Sequence, residues 1–217
     1  MVRLGYAVSV TEVVGIVLGA GASRRLGRPK QTLPFGDTTL LGRVVRDVEA
    51  SSLERVVLVV GGAADDALAG VAPVRAEPAR NDAYGSGCAS SLLAGLDAAG
   101  AADAVMLILG DMPGVDAAVI DAVRADWEAH RPWAALTEYR GAPGHPLVFS
   151  AAAFPRLRAL HGDKAVWRIV DAEPERIRRV PVDRPLPRDV DTWDDYEAAL
   201  AAFSAPGATG RAPARGA

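Results

Sequence analysis

Five short apolar runs constrain this chain more than any other feature: Val13 to Leu18, Val56 to Val60, Ala104 to Leu109, Ala134 to Thr137 and Leu147 to Phe149. Runs of this length, apolar throughout rather than alternating, have the pattern of strands buried on both faces. Between the first two, Leu40, Leu41, Val44, Val45 and Val48 recur on one face of a helix. Alanine-rich helices are expected over Ser91 to Ala99 and Asp116 to Glu128, and a further helix from Trp193 to Phe203. Strands alternating with helices predict an α/β fold, with a mostly parallel central sheet and helices on both faces. The chain has 217 residues and is 50% hydrophobic, enough for one large core, so a single domain over residues 1–203 is expected. Residues 204–217 are almost entirely Ala, Gly, Pro, Ser and Arg. They offer too little apolar surface to offset ordering entropy and are expected to form a disordered tail.

The charge balance excludes whole classes of partner. Lys and Arg number 24 against 27 Asp and Glu, which leaves no surplus positive field to hold nucleic acid. No stretch approaches the roughly 18 apolar residues of a membrane span, and no secretory leader pattern precedes Val13, so a soluble cytoplasmic protein is expected. One cysteine, Cys88, allows neither an internal disulfide nor a cysteine-based zinc site, and the three histidines are scattered. Any metal is therefore expected to be held by oxygen. Only two lysines occur, Lys30 and Lys164; every other basic residue is arginine.

In parallel α/β sheets ligands sit beyond the carboxyl ends of the strands. Directly after Leu18 comes Gly19-Ala20-Gly21-Ala22-Ser23-Arg24-Arg25-Leu26-Gly27-Arg28-Pro29-Lys30. Small residues let backbone N–H groups approach phosphate oxygens, and the cations that follow offset triphosphate charge. The dinucleotide fingerprint would need glycine where Arg24 stands, and a Walker A loop would need Gly-Lys-Ser/Thr where the chain has Pro29-Lys30-Gln31. Both are excluded by spacing. After Leu109 stands Gly110-Asp111-Met112-Pro113, which puts a carboxylate at a strand end. Magnesium takes one or two carboxylates plus substrate phosphates, a need that Asp111 meets, although aspartate at such a place also forms simple turns. Asn81 to Leu92 carries several groups able to hydrogen-bond a base or ribose, or else forms a plain loop with Ser90 as a helix cap. Cys88 has no histidine base near it in sequence to make it a nucleophile.

The run from Leu18-Gly19-Ala20-Gly21 through Arg25, Gly27 and Lys30 resembles the L-x-(A/G)-G-x-x-x-R-x-G-x-x-K signature of the MobA/MocA-like nucleotidyltransferases. Gly110-Asp111-Met112-Pro113 resembles that family's metal motif, and Asp189-Val190-Asp191-Thr192-Trp193-Asp194-Asp195 its second acidic segment. The resemblance implies a Rossmann-like nucleotide-diphospho-sugar transferase fold. It assigns phosphate contacts to Arg25 and Lys30 and a loop role to Leu18, Gly19, Ala20 and Gly21. Magnesium would lie on Asp111 and Asp191, although Asp191 or Thr192 can equally cap the following helix. Asn81, Gly87, Ser90 and Ser91 match the family's nucleotide segment, with Asp82 and Ser86 departing from its usual residues. Gly144-His145-Pro146 and Gly162-Asp163-Lys164 resemble the molybdopterin-cytidylyltransferase branch, where such segments line the acceptor side; His145 and Lys164 inherit that role. Together with Ala20 they point to CTP rather than GTP, to molybdenum-loaded molybdopterin as acceptor, and to a recipient molybdoenzyme. A guanylyltransferase or a sugar-phosphate nucleotidyltransferase of the same fold, and a non-catalytic cofactor-delivery protein, are the alternatives.

Overall fold

The computed structural model describes residues 11–21, 23, 25–162 and 165–204. β1 (Val13–Leu18) leads through the glycine loop to a two-residue hairpin, β2 (Pro34–Phe35) and β3 (Thr38–Thr39), and into α1 (Leu40–Glu49). There follow β4 (Arg55–Val60), α2 (Ala64–Val71), β5 (Glu77–Arg80), α3 (Cys88–Ala99), β6 (Ala104–Leu109) and α4 (Ala117–His130). The chain ends with β7 (Ala134–Tyr139), β8 (Ala142–Ser150), α5 (Phe154–Arg158), α6 (Ala165–Ala172), β9 (Ile177–Val182) and α7 (Trp193–Ser204). Seven strands form one sheet in the order β5-β4-β1-β6-β8-β7-β9. Only β8 runs against the rest, antiparallel to both β6 and β7.

The apolar runs become strands because their side chains divide between two cores. Val13 and Val17 of β1 and Ala104, Met106 and Ile108 of β6 face α1, α2 and α4, while Val14, Ile16, Val105 and Leu107 face α3, α5 and α6. Every residue of β1 and β6 but the last leucine is buried, so the pattern reads as a continuous apolar run rather than an alternation. The helix starts are set locally: Thr39 accepts the Gly42 amide at 3.1 Å to begin α1, and Asp116 accepts the Val119 amide at 3.1 Å to begin α4.

The sheet is longer than the apolar runs foretell. β5 and β9 are its two edges, pair on one side only, and carry Pro78 and Pro181. An edge strand needs little apolar surface and tolerates proline, so neither gives an apolar signal. β8 spans Ala142–Ser150 rather than the expected Leu147 to Phe149, so the Gly-His-Pro segment lies inside a strand. The last helix carries Ser204, which the expected tail had included; residues 205–217 lie outside the described residues. Among the described residues no helix is long and apolar enough to cross a membrane.

α3 rests unusually close to β1. A Cβ at Gly95 would lie 2.4 Å from Ile16 Cγ2 and 3.1 Å from Val59 Cγ2. Gly95→Val should therefore lower stability by roughly 1–3 kcal/mol through overpacking. Urea unfolding checks this, a midpoint equal to wild type being the contrary result.

Candidate active site

β1 and β6 are sheet neighbours whose last residues, Leu18 and Leu109, stand opposite one another, so the glycine loop and Asp111 emerge side by side. The Gly110 amide donates to the Leu18 carbonyl at 3.0 Å, and the Gly19 amide to the Val59 carbonyl at 2.9 Å. A Cβ at Gly110 would sit 2.9 Å from the Leu18 oxygen, and one at Gly19 3.1 Å from the Val59 oxygen. The crossing is thus close enough to require glycine before Asp111 and to suit it at the loop's first position.

Gln31, for which the sequence offered no signal beyond its place after Lys30, stitches the loop. Its Nε2 donates to the carbonyls of Gly19 at 2.9 Å and Gly21 at 2.7 Å. The Lys30 amide donates to the Ser23 hydroxyl at 2.9 Å, closing the turn.

Lys30 is buried, and its ammonium is fully engaged. Nζ donates to the Val190 carbonyl at 2.9 Å and to Asp191 Oδ1 at 2.8 Å, and forms an ion pair with Asp111 Oδ2. The two aspartates are 80 positions apart, and Val190 brings them together. Its side chain is fully buried with Leu26, Leu33, Phe35 and Leu40, and its amide donates to the Asp111 carbonyl at 2.9 Å. Asp191 Oδ2 accepts from Arg25 Nη1 at 2.8 Å, with the Arg25 side chain 70% exposed. Helix capping falls to Thr192 and Asp195 instead: the Asp195 amide donates to the Thr192 hydroxyl at 3.2 Å and the Thr192 amide to Asp195 Oδ2 at 2.9 Å. Asp191 is left to face the cations.

Burial alone would lower the Lys30 pKa, but the Asp111 and Asp191 carboxylates outweigh it and hold the ammonium above its ordinary value. Burial pushes the Asp111 carboxyl up, with Lys30 opposing, whereas the hydrogen bond from Lys30 holds Asp191 below the usual carboxylate range. Asp111 Oδ1 is buried without a hydrogen-bond partner. An orphaned carboxylate oxygen is costly, and it is the atom a cation would satisfy. Among the described residues no three His, Cys, Asp or Glu side chains gather to hold a metal. A cation here would take the two carboxylates and fill its shell with phosphate and water oxygens, the manner of magnesium.

These groups form one wall of a cleft of about 740 Å³ whose other walls include Gly87, Ser91, His145 and Trp167. Gly87 holds φ +113°, a conformation open to glycine, and α3 begins directly after it. Helix α3 therefore starts at Cys88, ahead of Ser90, and Ser90 is no cap. Asn81 and Ser90 do not line the cleft. Asn81 Nδ2 donates to the Ser90 and Ser91 hydroxyls at 2.9 and 3.0 Å, and Ser90 Oγ donates to the Gly87 carbonyl at 2.8 Å. They brace the wall from behind. Lys164 lies outside the described residues, though Val166 and Trp167 just beyond it line the cleft.

The MobA-like NTP transferase domain model matches residues 15–178. The chain belongs to this family. It is a nucleotidyltransferase with the nucleotide-diphospho-sugar transferase fold. Among curated relatives, nicotine blue oxidoreductase of Paenarthrobacter nicotinovorans is 30% identical over 191 residues, 83% of this chain and 92% of its own. The probable molybdenum cofactor guanylyltransferase of Mycobacterium ulcerans is 30% identical over 147 residues, 64% of this chain and 70% of its own. The crystal structure of Rv0371c from Mycobacterium tuberculosis H37Rv in complex with manganese is 32% identical with a TM-score of 0.73, covering 88% of this chain and 99% of that one.

In this MobA-like chain the cleft owes its far wall to a break in pairing. β6 and β8 stay in register only as far as Leu107 and Leu147, and the β7–β8 register shifts between Leu136 and Thr137. The His145 ring fills the resulting gap, Nδ1 lying 3.3 Å from the Leu107 carbonyl and the ring edge-on to Trp167 at 5.8 Å between centroids. Burial lowers the His145 pKa to about 4, so the ring is neutral at physiological pH. The unfolded chain, with histidine near 6.5, takes up the proton first as pH falls, so this contribution to stability is present above 6.5 and lost toward pH 4. Between pH 7 and pH 5 wild type should lose about 2 kcal/mol more than His145→Asn. Urea unfolding of both proteins at the two pH values measures the difference, and parallel losses would refute it.

Proposed function

We propose that this cytoplasmic nucleotidyltransferase moves CMP from CTP to molybdenum-loaded molybdopterin, releasing pyrophosphate, with magnesium held by Asp111 and Asp191. The carrying observation is that the glycine loop, Lys30, Arg25 and both carboxylates converge on one wall of a single cleft, with His145 and Trp167 across from them. The cleft, at about 740 Å³, lies within the usual size range of small-molecule sites. A pterin acceptor draws support from the relative named a molybdenum cofactor guanylyltransferase, and a divalent ion from the manganese complex of Rv0371c. The choice of CTP rests on Ala20 and the Gly-His-Pro and Gly-Asp-Lys segments.

In this reading the loop backbone around Gly19 to Gly21 cradles the triphosphate, with Leu18 beneath it, and Arg25 and Lys30 neutralise its oxygens. Ser91, whose hydroxyl accepts from Asn81, faces the nucleoside beside Gly87. The acceptor phosphate, ionised near neutral pH, attacks the α-phosphorus in line. A bond forms between its oxygen and that phosphorus, the bond to the bridging oxygen of the β-phosphate breaks, and pyrophosphate carries off the electron pair. No general base is required; His145, neutral and fixed, lines the acceptor half, and the family likeness adds Lys164 as a contact for the acceptor. Magnesium, when bound, would supply charge neutralisation of the triphosphate and hold it against the two carboxylates. Alignment and electrostatics supply the remainder of the barrier lowering.

Purified protein with magnesium and molybdenum-loaded molybdopterin should release pyrophosphate with CTP, and release with GTP alone would overturn the cytidylyl choice. Asp111→Asn should lower turnover by about a hundredfold or more while the protein stays folded. A delivery protein would hand over cofactor at the wild-type rate with this change, so a cofactor-transfer assay on the same variant separates the two.

A further inference from the structure

We infer that Lys30 is a resident counter-ion that trades places with the divalent cation, so that metal and nucleoside triphosphate enter the site as one unit. The inference rests on Asp111 and Asp191 being the cation ligands. An ammonium has three N–H donors, and those of Lys30 are spent on Asp111, Asp191 and the Val190 carbonyl. The lysine therefore cannot serve phosphate as it stands, and of the carboxylate oxygens of Asp111 and Asp191 only Asp111 Oδ1 is left unclaimed for a cation. A divalent ion and an ammonium between the same two carboxylates would repel strongly at this degree of burial.

Each ligand alone meets an obstacle. A cation arriving by itself must expel Lys30 with no anion to receive it. A triphosphate arriving by itself confronts carboxylates whose one buried counter-ion it must draw away. Arriving together, they let both partners exchange: the ammonium moves to phosphate and the cation takes the carboxylates, including the orphaned Asp111 Oδ1. The distance to be covered is small. The Lys30 stem already borders the glycine loop, its Cε 3.9 Å from where a Gly21 Cβ would be, so rotation of the last side-chain bonds brings Nζ to the loop. Arg25 holds the far oxygen of Asp191 from the solvent side and keeps that carboxylate in place meanwhile. The choice of lysine in an otherwise arginine-based chain follows: a compact ammonium on a flexible stem can change partners, whereas a planar guanidinium locked to two carboxylates cannot do so readily.

The presence of only two lysines makes the exchange directly visible. In full-length protein carrying ¹⁵N at lysine Nζ, two ammonium resonances are expected, and Lys164→Arg removes one and assigns the other to Lys30. Millimolar magnesium alone should leave the Lys30 resonance in place, and magnesium with the non-hydrolysable α,β-methylene analogue of CTP should move it. In a second measurement, manganese alone, followed by electron paramagnetic resonance, should bind Lys30→Met about tenfold or more tightly than wild type, and the analogue should tighten it further only in wild type. Equal manganese affinity in the two proteins, or an unmoved Lys30 resonance with the analogue demonstrably bound, overturns the exchange and leaves the nucleotidyl-transfer reading intact. Unchanged manganese binding in Asp111→Asn with the analogue present overturns instead the assignment of the carboxylates on which the exchange rests. Should Lys30→Met fail to fold, the resonance experiment on wild type decides alone.

Discussion

One ammonium held between two carboxylates organises the working end of this molecule. Lys30, Asp111 and Asp191 come from the glycine loop, the central strand end and the segment before the last helix, and each would be expensive to bury alone. Their pairing lets the ends of the central strands carry a charged site at the head of the sheet. It also couples the last third of the chain to the first: Val190 is anchored both by its amide on the Asp111 carbonyl and by its side chain among Leu26, Leu33, Phe35 and Leu40. The small third core under the loop is thus the mechanical support of the charge cluster.

A second constraint is the closeness of backbone at the strand ends. Gly110 and Gly19 pass the Leu18 and Val59 carbonyls at distances that leave little or no room for a side chain, and Gln31 ties two loop carbonyls from the other side. A loop that presents its backbone to a cleft gains by being held from behind, since it then needs little further ordering when a ligand binds. Asn81 serves the opposite wall in the same manner, spending its amide on Ser90 and Ser91 rather than on the cleft. The likeness of the Asn81 to Leu92 segment to the family's nucleotide motif assigns Asn81 and Ser90 to nucleotide contact. Which way a side chain's donors point is a tertiary matter that composition and spacing do not encode.

Much of the fold was legible because buried strands and amphipathic helices advertise themselves. β1 and β6 match the apolar runs residue for residue, and α1 follows its periodic leucines and valines. Edge strands β5 and β9 escaped because one-sided pairing needs no apolar run, and β8 was read too short because its first half is Ala-Pro-Gly-His-Pro, a composition that suggests a turn. At the site, Arg25, Lys30, Asp111 and Asp191 were legible from spacing and family likeness. Gln31, Val190 and Trp167 were not, since a buried brace and an ordinary apolar plug look like any others of their kind.

The sequence by itself determined the class of fold, the place of the glycine loop and the chemistry available at it, because these depend on local pattern: apolar period, small residues after a strand, a carboxylate at a strand end. Only the tertiary structure decided that the cations and carboxylates of the site pair with one another, that Thr192 and not Asp191 caps the last helix, and that His145 is buried in a gap between strands. Each of these is a choice among partners far apart in the chain. Burial and geometry, acting across the folded sheet, make that choice, and no local pattern records it.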